Sequence, residues 1–451
     1  MREQGRPARK NSPMNVQKQA WNKEDLARRL CHALDIGRQA VEELADKGYT
    51  DSEEPGNNIR PEKLISETAF LLLAASTAAD TSDVRKRIED LAQLLIPHAR
   101  SERMLLGMCL HPAMALDYAQ AHVCLARLGY PDANFDLLLR QSIGSQARWG
   151  RERVPHRMLE QEWLTAVWEN PAPGSRPHTL PSALGSVLNH SMDLLNCSRE
   201  DIYALTHALM YVRDFNISPR RLPRRRAEIM AEAEALLAHC LDEQDYDTGG
   251  EVLLAWPLTG RSWSAASVFG FRVLAWVEDQ AGFLPASSTR LARLEKLEGE
   301  HRKHYLLATA YHTIYVMGLL CATALQTGRT PPSHVPTSAA VPGSARMLLR
   351  FLDADQRSAH WRDELEKLTE PERDAIAGLL LNIAFRRKVS RGEFGVLREL
   401  LDAAHALGLS GMPAASQTAE MLERLAMFAE IKQTRVEKVR NADNLEVCCL
   451  G

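Results

Sequence analysis

Apolar residues recur three and four positions apart along most of the chain, which is the spacing of one face of an α-helix. Runs of short alternating apolar and polar residues, which would indicate strands, do not stand out. The chain is therefore predicted to be all-α. The helical pattern covers 23–47, 62–79, 82–99, 102–109, 112–128, 132–146, 157–169, 184–195, 199–213, 223–243, 249–257, 263–281, 287–300, 303–327 and much of 345–440.

Two long loops interrupt this pattern, NPAPGSRPHTLPS (170–182) and TGRTPPSHVPTSAAVPGS (327–344). Their density of proline, glycine and serine is typical of irregular connections. They divide the chain into predicted parts: a basic disordered arm (1–22), an N-terminal helical block (23–170), a central block (183–327), a C-terminal block (345–440) and a flexible tail (441–451).

A faint internal similarity links residues 104–132 and 305–332. Each has two leucines, a histidine and an apolar helix with a cysteine, followed by a turn and a proline. A duplication would make His111 and His312 equivalent and would favour stacked helical hairpins in an α/α toroid. Helical patterning alone produces the same similarity, so the prediction is a multi-helix array of stacked hairpins, either toroidal or bundle-like.

Composition narrows the classes of protein. The 451 residues are 45% hydrophobic and carry a formal charge of −3, so no global charge directs the chain to nucleic acid or to an anionic membrane. The eight cysteines are scattered without a CxxC pair, as in a protein with reduced thiols. The N-terminal segment lacks the apolar core of a secretory signal. The sequence predicts a cytoplasmic protein whose partners are neither nucleic acid nor a membrane.

The most informative stretch is YALTHALMYVRDFN (203–216). It places His207, Tyr211 and Asp214 at positions i, i+4 and i+7, on one face of an apolar helix. Glu251 and His312 lie in similarly apolar segments, GGEVLLAWPL and AYHTIYVMG. Because an unpaired ionisable group is costly in such surroundings, these residues are expected to meet partners.

Three interpretations of these residues stay open. Two imidazoles and two carboxylates on separate helices are a ligand set for iron, manganese or zinc, here His207, Asp214, Glu251 and His312. A metal-free site would use a histidine held by a carboxylate for acid–base catalysis, with His207, Asp214 and Tyr211 as its catalytic residues. A structural role, as satisfied core histidines and helix-capping carboxylates, is the third. The cofactor is therefore unknown.

Two further stretches allow more than one interpretation of their role. SPRRLPRRRAEI (218–229) concentrates five arginines in seven residues, which suits a solvated helix start or a dock for an acidic peptide or phosphate. A nucleic-acid-binding role is disfavoured because no aromatic residues lie between these arginines.

In ERVPHRMLEQEWLTAVWE (152–169), Pro155 suits a helix start and Trp163 a core or interface anchor. The terminal pair Cys448 and Cys449 is only a weak prenylation match, since the chain ends in glycine.

Several blocks together carry a family resemblance: YPDANFDLLL with ERVPHRMLEQEWL, YALTHALMYVRDF, GEVLLAWPL and YHTIYVMGLL. They resemble an uncharacterised, mainly actinobacterial family of all-helical proteins associated with gene clusters for specialised metabolites and modified peptides. The resemblance covers about 60–330. It implies that His207 and Asp214 recur in the family, whereas threonine stands there in place of Arg213. It implies a fold but no reaction.

The sequence is compatible with two functions. The first is an enzyme, or an enzyme-like accessory protein, that acts on a small molecule or peptide in a bacterial biosynthetic pathway. The second is a non-catalytic helical protein that binds a peptide or a partner enzyme through Arg220–Arg226 and Trp163. An enzyme predicts that His207, Asp214, Glu251 and His312 converge in a pocket, whereas a binding protein predicts that they are dispersed beside an exposed apolar groove.

Overall fold

The computed structural model describes residues 22–44, 48, 59–78, 82–169, 180–338, 340–352 and 359–448. Within these ranges the chain is helical and contains no β-sheet, which confirms the all-α prediction. The predicted arm, apart from Asn22, and the last three residues lie outside the described part.

Seven helices form the first part of the fold: α1 (Lys23–Glu42), α2 (Pro61–Ala75), α3 (Ser82–Ala99), α4 (Glu102–Leu110), α5 (Ala115–Arg127), α6 (Ala133–Ile143) and α7 (Pro155–Glu169). The middle part contains α8 (Arg199–Arg213), α9 (Arg226–Asp242), α10 (Tyr246–Leu253), α11 (Ala255–Thr259), α12 (Ala265–Ala281), α13 (Leu291–Leu294) and α14 (Gly299–Ala324). The last part contains α15 (Ser344–Leu349), α16 (His360–Glu366), α17 (Glu370–Ala375), α18 (Ala377–Ser390), α19 (Phe394–Ala406) and α20 (Pro413–Cys448).

Helix α14 lies at the centre of the fold. It packs against α1, α2 and α10, and it is buried around most of its circumference. Gly318 allows the close approach of α1, because a Cβ at that position would lie 2.6 Å from the Cβ of Ala33. The N-terminal and central helices therefore contribute to one hydrophobic core among the described residues.

By length and composition α14 could cross a membrane, but 89% of its most apolar window is buried inside the protein. A helix that is apolar on all sides is what a large protein needs at the middle of its core. Its burial accounts for its composition.

The structure departs from the predicted helices over 184–195 and over 287–300, where only Leu291–Leu294 and the first two residues of α14 are helical. Residues 184–195 form no α-helix; the chain makes 3₁₀ turns at Pro181–Gly185 and Val187–Asn189, separated by extended backbone at Ser186. The internal similarity also has no structural counterpart. His111 ends α4 ahead of Pro112 and is exposed, whereas His312 lies in the uninterrupted α14.

The C-terminal helices dock on α9 through α18. Arg387 of α18 pairs with the buried Asp242 of α9, and Trp361 donates its indole N–H to the same carboxylate at 3.2 Å. The backbone of α20 is helical to Cys448, through most of the predicted tail.

Candidate active site

The structure brings three of the four predicted metal ligands together, from α8, α10 and α14. His207 Nε2 lies 3.4 Å from Oε1 of Glu251, and His312 Nε2 lies 3.8 Å from the same oxygen. The Glu251 side chain is only 3% exposed, whereas those of His207 and His312 are 12% and 28% exposed. The cluster therefore has a buried carboxylate and two imidazoles nearer to solvent.

Local sequence places these groups. Helix α8 begins with a capping box between Ser198 and Asp201, which sets the helix so that His207 faces α10. Helix α10 begins where the Asp245 side chain accepts the backbone N–H of Thr248. The Thr206 hydroxyl donates to Oε2 of Glu251 at 2.5 Å, which leaves Oε1 as the oxygen that faces both imidazoles.

A chain of hydrogen bonds sets the tautomer of His207. The Tyr211 hydroxyl donates to Oε1 of Glu160 at 2.6 Å, and His207 Nδ1 lies 3.1 Å from that hydroxyl. Since the hydroxyl has one hydrogen and directs it to a carboxylate, it accepts from His207, which must carry hydrogen on Nδ1. His207 Nε2 is then the nitrogen that faces Glu251. It is enclosed, and within the described residues its 3.4 Å contact with Oε1 of Glu251 is not a well-aligned hydrogen bond.

His312 is held by a second carboxylate. Its Nδ1 lies 3.2 Å from Oε2 of Glu67 on α2, and the Tyr311 hydroxyl donates to the same oxygen. Its Nε2 lies 3.5 Å from Oδ1 of Asp247, one turn before Glu251 on α10. Burial lowers the pKa of His312, but the charges of Asp247 and Glu67 and the hydrogen bonds with Glu251 and Glu67 outweigh it and raise that pKa well above 6.5.

The carboxylates around the histidines differ in their pKa values. Burial raises the pKa of Glu251, but the His207 and His312 charges outweigh it and hold that pKa well below its usual range. Burial likewise raises the pKa of Glu67, and His312 and Lys63 then lower it to about 2. For Asp247, burial and the Glu251 charge prevail over His312, and the pKa is raised. Neighbouring carboxylates with opposed shifts are typical of acid–base sites.

Charge balance explains why the histidines are needed. Around them lie five carboxylates and three permanent cations: Glu67, Glu160, Asp245, Asp247 and Glu251, with Lys63, Arg157 and Arg199. Protonated His312 balances one of the two remaining negative charges, and a proton accepted by His207, or a bound cation, would balance the other. The cluster is thus built to hold two units of positive charge.

Asp214 does not join this cluster. Helix α8 ends at Arg213, and Asp214 adopts a left-handed conformation with φ 47° and ψ 44°, so its side chain leaves the helical face that carries His207. Both carboxylate oxygens accept from Arg127 at 2.9 Å, and Oδ1 also accepts the indole N–H of Trp163 at 2.9 Å. The carboxylate ties α5 and α7 to the end of α8.

An aromatic layer borders His207. The Tyr203 and His207 rings lie 3.7 Å apart between centroids, and His156 packs edge-on against Tyr203. Burial, together with the charges of Arg157 and His207, lowers the pKa of His156 to about 4. His156 also lines a cavity of about 350 Å³ between α7, α8 and the 185–197 loop. This cavity therefore lies two rings away from His207.

Two of the residues proposed as anchors of a binding protein make contacts inside the fold. Trp163 is fully buried, and Arg224 pairs with the buried Glu232. A groove of about 700 Å³ runs along the opposite side of α7. Its lining includes three acidic side chains, Glu152, Glu162 and Glu169, and three basic ones, Arg148, Arg151 and Arg153. This groove has mixed charge and none of the predicted site residues.

In the described part of the chain, no group of three or more histidine, cysteine, aspartate or glutamate side chains is arranged to hold a metal ion. Oε1 of Glu251 contacts Nε2 of both His207 and His312. Asp214 is instead bonded to Arg127 and Trp163. As positioned, the side chains form hydrogen bonds and ion pairs with one another.

Sequence reasoning did not place Glu67, Asp247 or Glu160 in the site. Two signals were available. Glu67 is a lone acid ahead of the apolar run TAFLLLAA, and Asp247 precedes Glu251 by four residues, which places both on one helical face. The contact of Glu67 with His312 joins residues 245 positions apart, and no local pattern predicts it.

Comparisons with known proteins give a family but no activity. No curated protein and no solved structure matches the chain. A family model described as a domain of unknown function, DUF6895, matches residues 20–322, which include every residue of the histidine–carboxylate cluster. The match extends further toward the N-terminus than the resemblance seen in the sequence and covers α1, which packs on α14. The chain belongs to this DUF6895 family.

Proposed function

We propose that the protein is an enzyme whose acid–base centre is formed by His207, Glu251 and His312. The observation that carries the proposal is the placement of His207, whose Nδ1 is held by Tyr211 and Glu160 and whose buried Nε2 faces Oε1 of Glu251 at 3.4 Å without a well-aligned hydrogen bond. A purely structural histidine would normally have both nitrogens satisfied. A ring held at Nδ1 with Nε2 available is the arrangement of a general base.

The second histidine supplies the complementary group. With its raised pKa, His312 carries a proton near neutral pH and serves as the general acid. Glu251, ionised and buried between the rings, stabilises whichever imidazole is protonated. One ring accepts a proton from the substrate and the other donates one, as in hydrolase or lyase reactions.

The substrate is proposed to be a small molecule or a peptide. His312 and Glu67 are the more exposed members of the cluster, and the cavity of about 350 Å³ beside His156 is separated from His207 by the Tyr203 ring. Following the resemblance of the sequence blocks, we place the activity in the cytoplasm of a bacterium, in a pathway for specialised metabolites or modified peptides.

A metal-dependent variant of this proposal has one observation in its favour, the two units of positive charge that the carboxylates require. An iron, manganese or zinc ion would supply them if His207, Glu251 and His312 rearranged around it. Inductively coupled plasma mass spectrometry distinguishes the two forms. Near-stoichiometric metal that is lost in both His207→Ala and His312→Ala supports the metal form, and metal-free folded protein supports the proton form.

The enzyme proposal is tested by incubating the purified chain with a metabolite extract of its source cells and following all small molecules by liquid chromatography and mass spectrometry. Wild type is compared with His207→Gln and Glu251→Gln. Glu232→Gln is the control, because Glu232 is an equally buried, ion-paired carboxylate outside the cluster. At least one compound should be converted by wild type and control but not by the two site variants. Identical profiles for all four proteins would refute an enzymatic role.

A further inference from the structure

Arg220, in the arginine-rich stretch after α8, has a buried guanidinium whose hydrogen bonds to the described residues are incomplete. The residue is 7% exposed. Its Nε and Nη1 atoms are buried and have no hydrogen-bond partner in the described part of the chain. The backbone is firmly placed, since the Arg220 N–H donates to the Val212 carbonyl at 2.9 Å and its own carbonyl accepts from Arg213 at 2.7 Å.

The nearby carboxylates do not pair with Arg220. Asp214 uses both oxygens on Arg127 and one of them also on Trp163. Glu162, whose charge also acts on Arg220, accepts the backbone N–H of Ser182 at 3.0 Å and forms no ion pair with Arg220.

Two other arginines lie at the end of α8. Arg127 is almost fully buried, and its Nε also lacks a hydrogen-bond partner within the described ranges. Arg213 donates to the carbonyls of Leu258 and Arg220 rather than to a carboxylate. Burial, with the charges of Arg226 and Arg329, lowers the pKa of Arg213 to about 10.

The charges of Asp214, Glu162 and Arg127 act on the Arg220 guanidinium, but neither carboxylate forms an ion pair with it. An unpaired buried charge is strongly unfavourable, and proteins normally pair such a charge or use it to bind a ligand of opposite sign. The backbone at the same place is also strained, with positive φ at Asp214, Phe215 and Asn216. Strain of this kind concentrates at ligand and switch sites.

We propose that the end of α8 is an oxyanion-binding site in which Arg220 and Arg127 bind a phosphate or carboxylate group. Guanidinium groups suit this ligand because their N–H donors are arranged as a planar fork that matches two oxygens of an oxyanion. The site is separate from the histidine cluster and does not depend on the proposed enzyme activity. It gives a role to Arg220, the first arginine of a run that the acid–base centre does not use.

The oxyanion has two possible sources, a phosphate or the carboxylate of a small organic acid. Inorganic phosphate and acetate are therefore the probes, each titrated into the full chain by calorimetry at constant ionic strength made up with chloride. The ion that binds more tightly identifies the source. Thermal unfolding with and without the same ions gives a second readout.

Arg220→Met is the test variant, and Arg224→Met is the control, because Arg224 belongs to the same stretch but is paired with Glu232. In Arg220→Met the preferred ion should bind at least tenfold more weakly, and the unfolding midpoint without ion should rise, since an unpaired charge has been removed. The control should bind the ion like wild type and unfold at a lower temperature.

Two results would overturn the site. One is the absence of binding of either ion to wild type. The other is equal binding by wild type and Arg220→Met, which would assign the ion to another place. If Arg220→Met does not fold, Arg220→Lys keeps the charge but loses the planar fork, and a similar weakening of ion binding is expected of it.

Discussion

Replacing His312 by glutamine tests the electrostatics at the centre of the site. Glutamine keeps a polar side chain but removes the charge that faces Glu67, Asp247 and Glu251. Burial alone would raise the pKa of Glu67 above 4.5, yet His312 first and Lys63 next lower it to about 2. At ~1.36 kcal/mol per pKa unit, this lowering corresponds to roughly 3 kcal/mol of folding free energy.

The effect has a defined pH dependence. The folded-state pKa of Glu67 is depressed, so its contribution is present above 4.5 and is lost as the pH falls through about 2. The folded-state pKa of His312 is raised, so its contribution is present below 6.5 and is lost as the pH rises through the raised value. The stability difference between wild type and His312→Gln should therefore be largest between about pH 5 and 6.5 and shrink on both sides.

Urea unfolding at about pH 3, 6 and 9 measures this difference. We expect His312→Gln to lose roughly 2–3 kcal/mol at the middle pH and distinctly less at the extremes. His405→Gln, at an exposed histidine on α19, is the control and should change stability by under about 0.5 kcal/mol. A loss below about 1 kcal/mol, or one that is equal at all three pH values, would show that the protonated ring does not stabilise the cluster.

Three further substitutions test other parts of the account. Asp214→Asn should lower the free energy of unfolding by about 3–5 kcal/mol, because it breaks a buried ion pair with Arg127; a change under 1 kcal/mol in a urea melt would contradict that structural role. Gly318→Ala should cost about 1–3 kcal/mol by pushing α14 away from Ala33, and an unchanged thermal midpoint would contradict the close packing. Tyr211→Phe should keep the fold, as judged by circular dichroism, but reduce conversion of the substrate found by metabolite profiling; full conversion would show that the link from His207 to Glu160 is dispensable.

The all-helical class could be predicted because the spacing of apolar residues is a local property. The pattern over 263–281 corresponds to α12 at Ala265–Ala281, and the pattern over 102–109 to α4 at Glu102–Leu110. The prediction was wrong over 184–195, where apolar residues are present at helical spacing but the chain turns at Gly185 and Ser186. There, local backbone preferences prevail over apolar spacing.

The site could be predicted only in part. Spacing along one helix correctly placed Tyr211 next to His207, because both lie within α8. The same reasoning failed for Asp214, since i+7 spacing keeps a residue on the face only while the helix continues, and α8 ends one residue earlier. Contacts between distant helices, such as that of Glu67 with His312, depend on how α2 packs on α14, which periodicity does not specify.

The central claim, a pair of proton-carrying histidines in defined states, is tested most directly by ¹⁵N–¹H correlation NMR of histidine-labelled protein at neutral pH. Signals are assigned by their loss in His207→Gln and His312→Gln. The account predicts that His312 shows hydrogen on both ring nitrogens and that His207 carries hydrogen on Nδ1. A neutral His312, or a His207 with hydrogen on Nε2 alone, would contradict the assignment of His312 as acid and His207 as base.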